Sequence, residues 1–195
     1  MAKKAKIIAL TGGIGSGKTS ALDVLSTAGY PVLSSDEIVH ELYEKRSVKK
    51  LLKSIFPDAV KGFINLKIDK RRIAELAFSN KALHKKLTDT VTPLVLKEIL
   101  RRTENANQNT FVEVPLLFEC GYQDYFDGVL VITRDRAQRI ESVKVRSNLT
   151  EQEIIARMNE QTDYDAFDLT PYTVINNDGD FSTLKEKVLT FAKNL

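Results

Sequence analysis

Apolar residues in this chain fall into short unbroken runs, separated by stretches where they recur every three or four positions. Ile7-Ile8-Ala9-Leu10 is one such run, closed by Thr11 and glycines, and predicts a strand buried on both faces. Ala21, Val24, Leu25 and Ala28 then form one stripe of an amphipathic helix, with Gly29 placed to end it. Pro31-Val32-Leu33 predicts a second strand. Phe111 to Phe118, Val129 to Thr133 and Tyr172 to Ile175 predict three more. A last helix from near Asp180 turns Leu184, Val188, Phe191 and Leu195 inward. Strands alternating with helices imply an α/β chain whose five-stranded parallel sheet is covered on both sides.

Two helical stretches interrupt this alternation. Residues of about 36–108 are helical in pattern, as in Val48, Leu51, Leu52 and Ile55, and only Phe63-Ile64-Asn65-Leu66 reads as extended. Pro93 is expected to end or kink the helix through Leu83, Leu87 and Val91. Residues of about 134–169 form a second, arginine-rich insertion. The expectation is therefore a single domain over 1–195. Its core comprises about 1–35, 109–133 and 170–195, and its insertions lie where α/β folds place acceptor-binding and lid elements.

The length of 195 residues and the 43% hydrophobic and 28% charged composition exclude a disordered, collagen-like or coiled-coil chain. A net charge of +3 suits an anionic small ligand as well as it suits nucleic acid. Cys120 is the sole cysteine, and His40 and His84 lie far apart in sequence, so neither a disulfide nor a cysteine or histidine metal motif is expected. Lys3, Lys4 and Lys6 precede only the four apolar residues Ile7 to Leu10, too few for a secretory signal or a membrane span. A soluble cytoplasmic chain is the expectation.

Gly12-Gly13-Ile14-Gly15-Ser16-Gly17-Lys18-Thr19 matches GxxxxGK[ST] in full, and it stands between a predicted buried strand and a predicted helix. A phosphate chain is wrapped by successive backbone N–H groups that side chains would obstruct, which is why glycines dominate such a loop. The helix N-terminus adds partial positive charge. The residues from Gly13, Ile14, Gly15, Ser16 and Gly17 to Ser20 would hold the phosphates of a nucleoside triphosphate. Lys18 would reach the β- and γ-phosphates, and the Thr19 hydroxyl would bind Mg²⁺. A dinucleotide GxGxxG starting at Gly13 fails, because Lys18 occupies its last glycine position.

A GTPase would show DxxG and NKxD elements. No Asp here has Gly three residues later, and Asn80-Lys81 continues into Ala82-Leu83. A small-molecule kinase instead needs a group to activate its acceptor. Asp36, just after the second predicted strand, is placed to accept a hydroxyl proton. The same position equally suits an N-cap for a helix over Glu37 to Leu42. His40, one turn on and on the same face, could pair with Asp36, contact an anionic acceptor or simply face solvent. Glu113 is a carboxylate inside an apolar strand, which suits either a water-mediated Mg²⁺ contact or a buried ion pair. Arg134, Arg136, Arg139, Arg146 and Arg157 could clamp a phosphate from a mobile insertion, although such a run also describes a solvated helix face.

Several motifs resemble the dephospho-CoA kinase family, in order along nearly the whole chain. Ile8 to Lys18 is close to that family's signature loop. Val32-Leu33-Ser34-Ser35-Asp36-Glu37-Ile38 resembles V-I-D-A-D-x-I, and Val114-Pro115-Leu116-Leu117-Phe118-Glu119 matches V-P-L-L-F-E. Arg146, Arg157 and Gln161 fall at the family's lid spacing, and Val174 to Gly179 resembles V-I-D-N-D-G near the adenine. Departures occur at Ser34, Thr92, Ser142 and Ser147, at the inverted Thr19-Ser20 pair, and at Leu169-Thr170-Pro171; Arg139 could compensate for Ser142. The resemblance implies a P-loop kinase fold and transfer of the γ-phosphoryl of ATP, with Mg²⁺, to the ribose 3′-hydroxyl of dephospho-CoA. It implies Asp36 as base, with Lys18 and Arg146 as the other catalytic groups. It places Asn177 on the nucleotide, and Asp36 and Arg146 on the acceptor, where His40 is the further candidate by its position. The expected partners are those two small molecules, with neither nucleic acid nor membrane, and the chain is expected to be a monomer.

Overall fold

A computed structural model of the chain describes residues 5–147 and 149–195. Lys3 and Lys4, which entered the reading of the N-terminus, lie outside the described residues. Ile7–Thr11 forms β1, Lys18–Thr27 forms α1 and Val32–Ser34 forms β2. Helices α2 (Ser35–Glu44) and α3 (Arg46–Ile55) follow, then a hairpin of β3 (Val60–Lys61) and β4 (Lys67–Ile68). Helices α4 (Lys70–Ser79) and α5 (Lys81–Thr103) lead to β5 (Thr110–Glu113) and β6 (Gly128–Thr133). The chain ends through α6 (Arg136–Arg146), α7 (Glu151–Asn159), β7 (Thr173–Asn176) and α8 (Phe181–Lys193). It divides into two units, Met1–Ser34 with Thr103–Leu195, and Ser35–Arg102.

In the first unit the strands run in the order β2-β5-β1-β6-β7, all parallel. Parallel neighbours need crossovers, so both faces of the central strands are covered and their residues are continuously apolar. Ile8, Leu10, Phe111, Leu130 and Ile132 of the sheet pack with Ala21 and Leu25 of α1 and Leu184 and Val188 of α8. Each of these side chains other than Ala21 contributes about 1.5–3 kcal/mol on burial. The strand predicted over Phe111 to Phe118 stops at Glu113: Pro115 carries no N–H for a ladder, and the chain turns instead. Gly29, at φ 88°, follows the Ala28 C-cap and ends α1 as expected.

The second unit corrects one expectation and narrows another. Phe63, Ile64 and Asn65 are not extended; they form the exposed turn of the β3–β4 hairpin, entered through Gly62. Pro93 does not end its helix, for α5 runs through it to Thr103. Val91, Val95, Leu96 and Ile99 are buried along that helix, and their packing outweighs the one backbone bond that proline removes.

Glu98, on α5, accepts hydrogen bonds from Arg101 at 2.8 and 3.1 Å and from Arg102 at 3.0 Å; Arg102 also pairs with Glu41. These bonds, led by those from Arg101, hold the Glu98 carboxyl down at about 2, against burial. Because the folded value lies below the ordinary 4.5, the stabilisation is complete above about pH 5 and is lost as pH falls toward 2. Glu98→Gln is expected to cost about 1–2 kcal/mol at pH 7 and to flatten the acid limb of stability. Thermal melts of both proteins between pH 7 and pH 3 check this; equal acid limbs would remove Glu98 from the account.

Candidate active site

The glycine-rich loop leaves β1 at the C-terminal edge of the sheet and enters α1. Gly15 and Gly17 hold φ at 78° and 100°, a left-handed backbone that side chains strain. A Cβ on Gly15 would also lie 2.5 Å from the carbonyl oxygen of Arg139. Buried Lys18 donates from Nζ to the carbonyls of Gly12 at 2.8 Å and Gly13 at 3.1 Å, folding its charge into the loop. Thr19 is exposed and Ser20 half-buried in the first turn of α1, beside the N–H groups that a helix start leaves without intrahelical partners. Ser16 Oγ is buried with no hydrogen-bond partner among the described residues.

The loop is braced from the far end of the chain. Asn177 Nδ2 donates to the Ser16 carbonyl at 2.8 Å, and the Asn177 backbone N–H donates to Thr133 at 2.9 Å. The residue expected on the nucleotide is thus engaged with the loop itself, immediately over Gly17. Ile14 donates its backbone N–H to Gln161 Oε1 at 2.7 Å. Its side chain packs on Val143, Ile154 and Met158, the apolar cluster of α6 and α7. Thr11 Oγ1 lies 3.3 Å from the hydroxyl of Tyr164, and burial pushes that phenol up to about 12 although the Thr11 bond opposes it.

The segment supplying these contacts rests on the residues that follow β5. Glu119 accepts from the Thr162 backbone at 2.5 Å, and the Phe118 ring packs on Tyr164, Phe167 and Tyr172 with centroids 4.7–6.1 Å apart. The Val114 to Glu119 motif therefore serves as a platform for the chain that grips the loop. Asp135, which caps α6, also donates its N–H to Asp178 at 2.7 Å, tying the end of β6 to the end of β7.

The other predicted residues are described by the elements that carry them. Glu113 ends β5 at the same sheet edge, in register between Leu10 and Ser34, and is half-buried. Asp36 comes two residues after β2 but is not an N-cap: α2 begins at Ser35, so Asp36 is inside its first turn. Asp36 and His40 are both exposed, one turn apart on α2. Arg146 and Arg157 are exposed. Arg146 ends α6, seven residues and about 10 Å of helix beyond Arg139. Among these arginines it is Arg139 that the structure sets on the loop, its guanidinium lying against Gly13. Sequence reasoning named Arg139 among five candidate clamps, and missed Tyr164 and the bracing role of Asn177. Arg139 had a readable signal, since it shares the inward stripe of α6 with Val143 four residues on.

Comparison with known proteins places this geometry. A dephospho-CoA kinase from Thermus thermophilus is 37% identical over 163 residues, covering 82% of this chain and 77% of that protein. One from Streptococcus agalactiae is 28% identical, covering 97% and 99%. The crystal structure of TT1252 from Thermus thermophilus superposes with a TM-score of 0.84 at 31% identity, over 99% of each chain. The fold is that of a P-loop kinase. The dephospho-CoA kinase family model matches residues 6–183, and the chain therefore belongs to the dephospho-CoA kinase family.

Proposed function

We propose that the chain transfers the γ-phosphoryl group of ATP to the ribose 3′-hydroxyl of dephospho-CoA, giving coenzyme A and ADP. The observation that carries this is the complete, internally braced phosphate loop between β1 and α1, in a chain of this family. The loop N–H groups from Gly13 to Ser20 hold the phosphates, and Lys18 turns from its own carbonyls toward the β- and γ-oxygens. Asp36 accepts the proton of the attacking hydroxyl. A bond forms from that oxygen to the γ-phosphorus, the bond to the bridging oxygen breaks, and ADP keeps the electron pair. His40 contacts the acceptor, and Arg146 closes on the reacting phosphate.

The donor set fits Mg²⁺. Among the described residues no three His, Cys, Asp or Glu side chains gather to form a protein cage. A hydroxyl at Thr19 and a carboxylate at Glu113 suit an ion that takes its remaining ligands from phosphate and water. When bound, Mg²⁺ neutralises charge developing on the phosphates. No helix among the described residues is long and apolar enough to cross a membrane. The reading keeps the chain a cytoplasmic monomer, and light scattering of the purified protein checks the monomer.

ADP release with dephospho-CoA, compared with nucleoside monophosphates and small polyols, tests the acceptor directly. Turnover on dephospho-CoA alone is expected; preference for another acceptor would move the chain to a different small-molecule kinase. Arg146→Ala is expected to leave the melting temperature unchanged and to slow turnover about 10²-fold. A wild-type rate in that variant removes Arg146 from the site.

A further inference from the structure

The glycine-rich motif supplies a single cation, Lys18, yet the structure adds a second from a distant helix. Arg139 is only 7% exposed, and its guanidinium occupies the space that a side chain on Gly13 would fill. Its Nε is buried without a hydrogen-bond partner among the described residues. Its Nη2 lies 3.5 Å from Asp165 Oδ2, a carboxylate whose own side chain is 68% exposed. A cavity of about 320 Å³, lined by Arg139, Arg136, Gln161, Asp163 and Tyr164 among others, opens beside it.

A guanidinium that merely braced a fold would be expected to use its planar fork on a buried carboxylate or on carbonyls, since burying a cation without full pairing is unfavourable. Among the described residues Arg139 has instead one long contact to a solvated carboxylate and a buried donor with no partner, and its guanidinium lies against the phosphate loop. Its backbone carbonyl seats against Gly15, so the position of the side chain is tied to the loop itself.

We propose that Arg139 is a further catalytic residue, donating to the oxygens of the transferring phosphoryl group, and that Asp165 holds its guanidinium until nucleotide arrives. This rests on the proposed phosphoryl transfer. No covalent bond to Arg139 forms: as the bridging P–O bond lengthens, charge grows on the equatorial and leaving oxygens, and the guanidinium stabilises it. A triphosphate carries more charge than one exposed carboxylate, so it displaces Asp165 from the pair.

The test begins with wild-type turnover of dephospho-CoA, whose absence would defeat the functional reading but not this assignment. Arg139→Met is then measured for melting temperature, for turnover, and by calorimetry for binding of ADP alone and of ADP with magnesium and aluminium fluoride, which imitates the phosphoryl group in flight. The expected result is a folded protein with turnover lowered about 10²–10³-fold and ADP affinity within about threefold of wild type. The fluoride complex is expected to be weakened about as much as turnover, and added guanidinium ion to restore part of the rate. Turnover within about threefold of wild type, or equal weakening of ADP and of the fluoride complex, overturns the proposal. If Arg139→Met does not fold, Arg139→Lys decides, because it keeps the charge and loses the fork. A folded lysine variant with unchanged turnover and fluoride binding overturns the proposal, and a selective loss of both supports it. Asp165→Asn is expected to tighten nucleotide binding about two- to threefold, as an exposed pair of this kind is weak.

Discussion

Asp36→Asn is expected to lower turnover on dephospho-CoA about 10²–10⁴-fold while ATP binds with nearly unchanged affinity. The substitution keeps the shape of the side chain and removes only its capacity to take a proton. Asp36 is exposed in the first turn of α2, where its charge also favours the helix N-terminus by about 0.3–1 kcal/mol. A purely helical role therefore predicts a small drop in melting temperature and an unaltered rate. The proposed role as base predicts the same small drop together with the large loss of rate. Steady-state ADP release beside calorimetric titration with ATP separates the two, and a variant with wild-type turnover would return Asp36 to the helix alone.

The split between what could and could not be read beforehand follows from the range of the forces involved. β1, the loop and α1 were legible because their pattern is local: four apolar residues, then glycines, then a stripe of period 3.6. That the strands run parallel followed from their separation by helices, whereas their order in the sheet did not. Misreadings came where a local signal met a tertiary one. Phe63 and Ile64 look like residues to bury, yet Gly62 at φ 95° turns the chain and leaves them 92% and 74% exposed. Pro93 is a helix breaker in isolation, but the buried residues on either side hold α5 together.

The site shows the same division. Lys18 and the loop glycines are one contiguous word in the sequence. Their supports are not: Gln161 reaches Ile14 across 147 positions, Asn177 reaches Ser16 across 161, and Thr11 meets Tyr164 across 153. Arg139 stood among five arginines that could clamp phosphate or face solvent; its spacing from Val143 points inward, but nothing along the chain reveals that Gly13 leaves room for it. The missing side chains at Gly13 and Gly15 serve two purposes at once. They leave the loop backbone bare, as the proposed phosphate site requires, and they let Arg139 of α6 lie against it.

Lys18→Met is expected to impair binding and chemistry together, with turnover reduced about 10³-fold or more and ATP affinity lowered as well. Methionine nearly preserves the unbranched stem, so packing against the loop survives. What goes is the charge and the donor: Nζ now bonds the Gly12 and Gly13 carbonyls, and their loss is expected to cost about 1–3 kcal/mol of stability. That cost has to be separated from catalysis, and ligand linkage does so. For the wild type, ATP at 100 times its dissociation constant adds about 2.7 kcal/mol to folding stability, visible as an upward shift in melting temperature. Lys18→Met at the same ATP concentration is expected to lose most of that shift, whereas Asp36→Asn keeps it. One variant thus loses rate and linkage, and the other loses rate alone, a contrast that a general destabilisation cannot imitate. If Lys18→Met retained the full ATP-induced shift, the loop between β1 and α1 would not be gripping the phosphates, and the kinase mechanism built on it would fall.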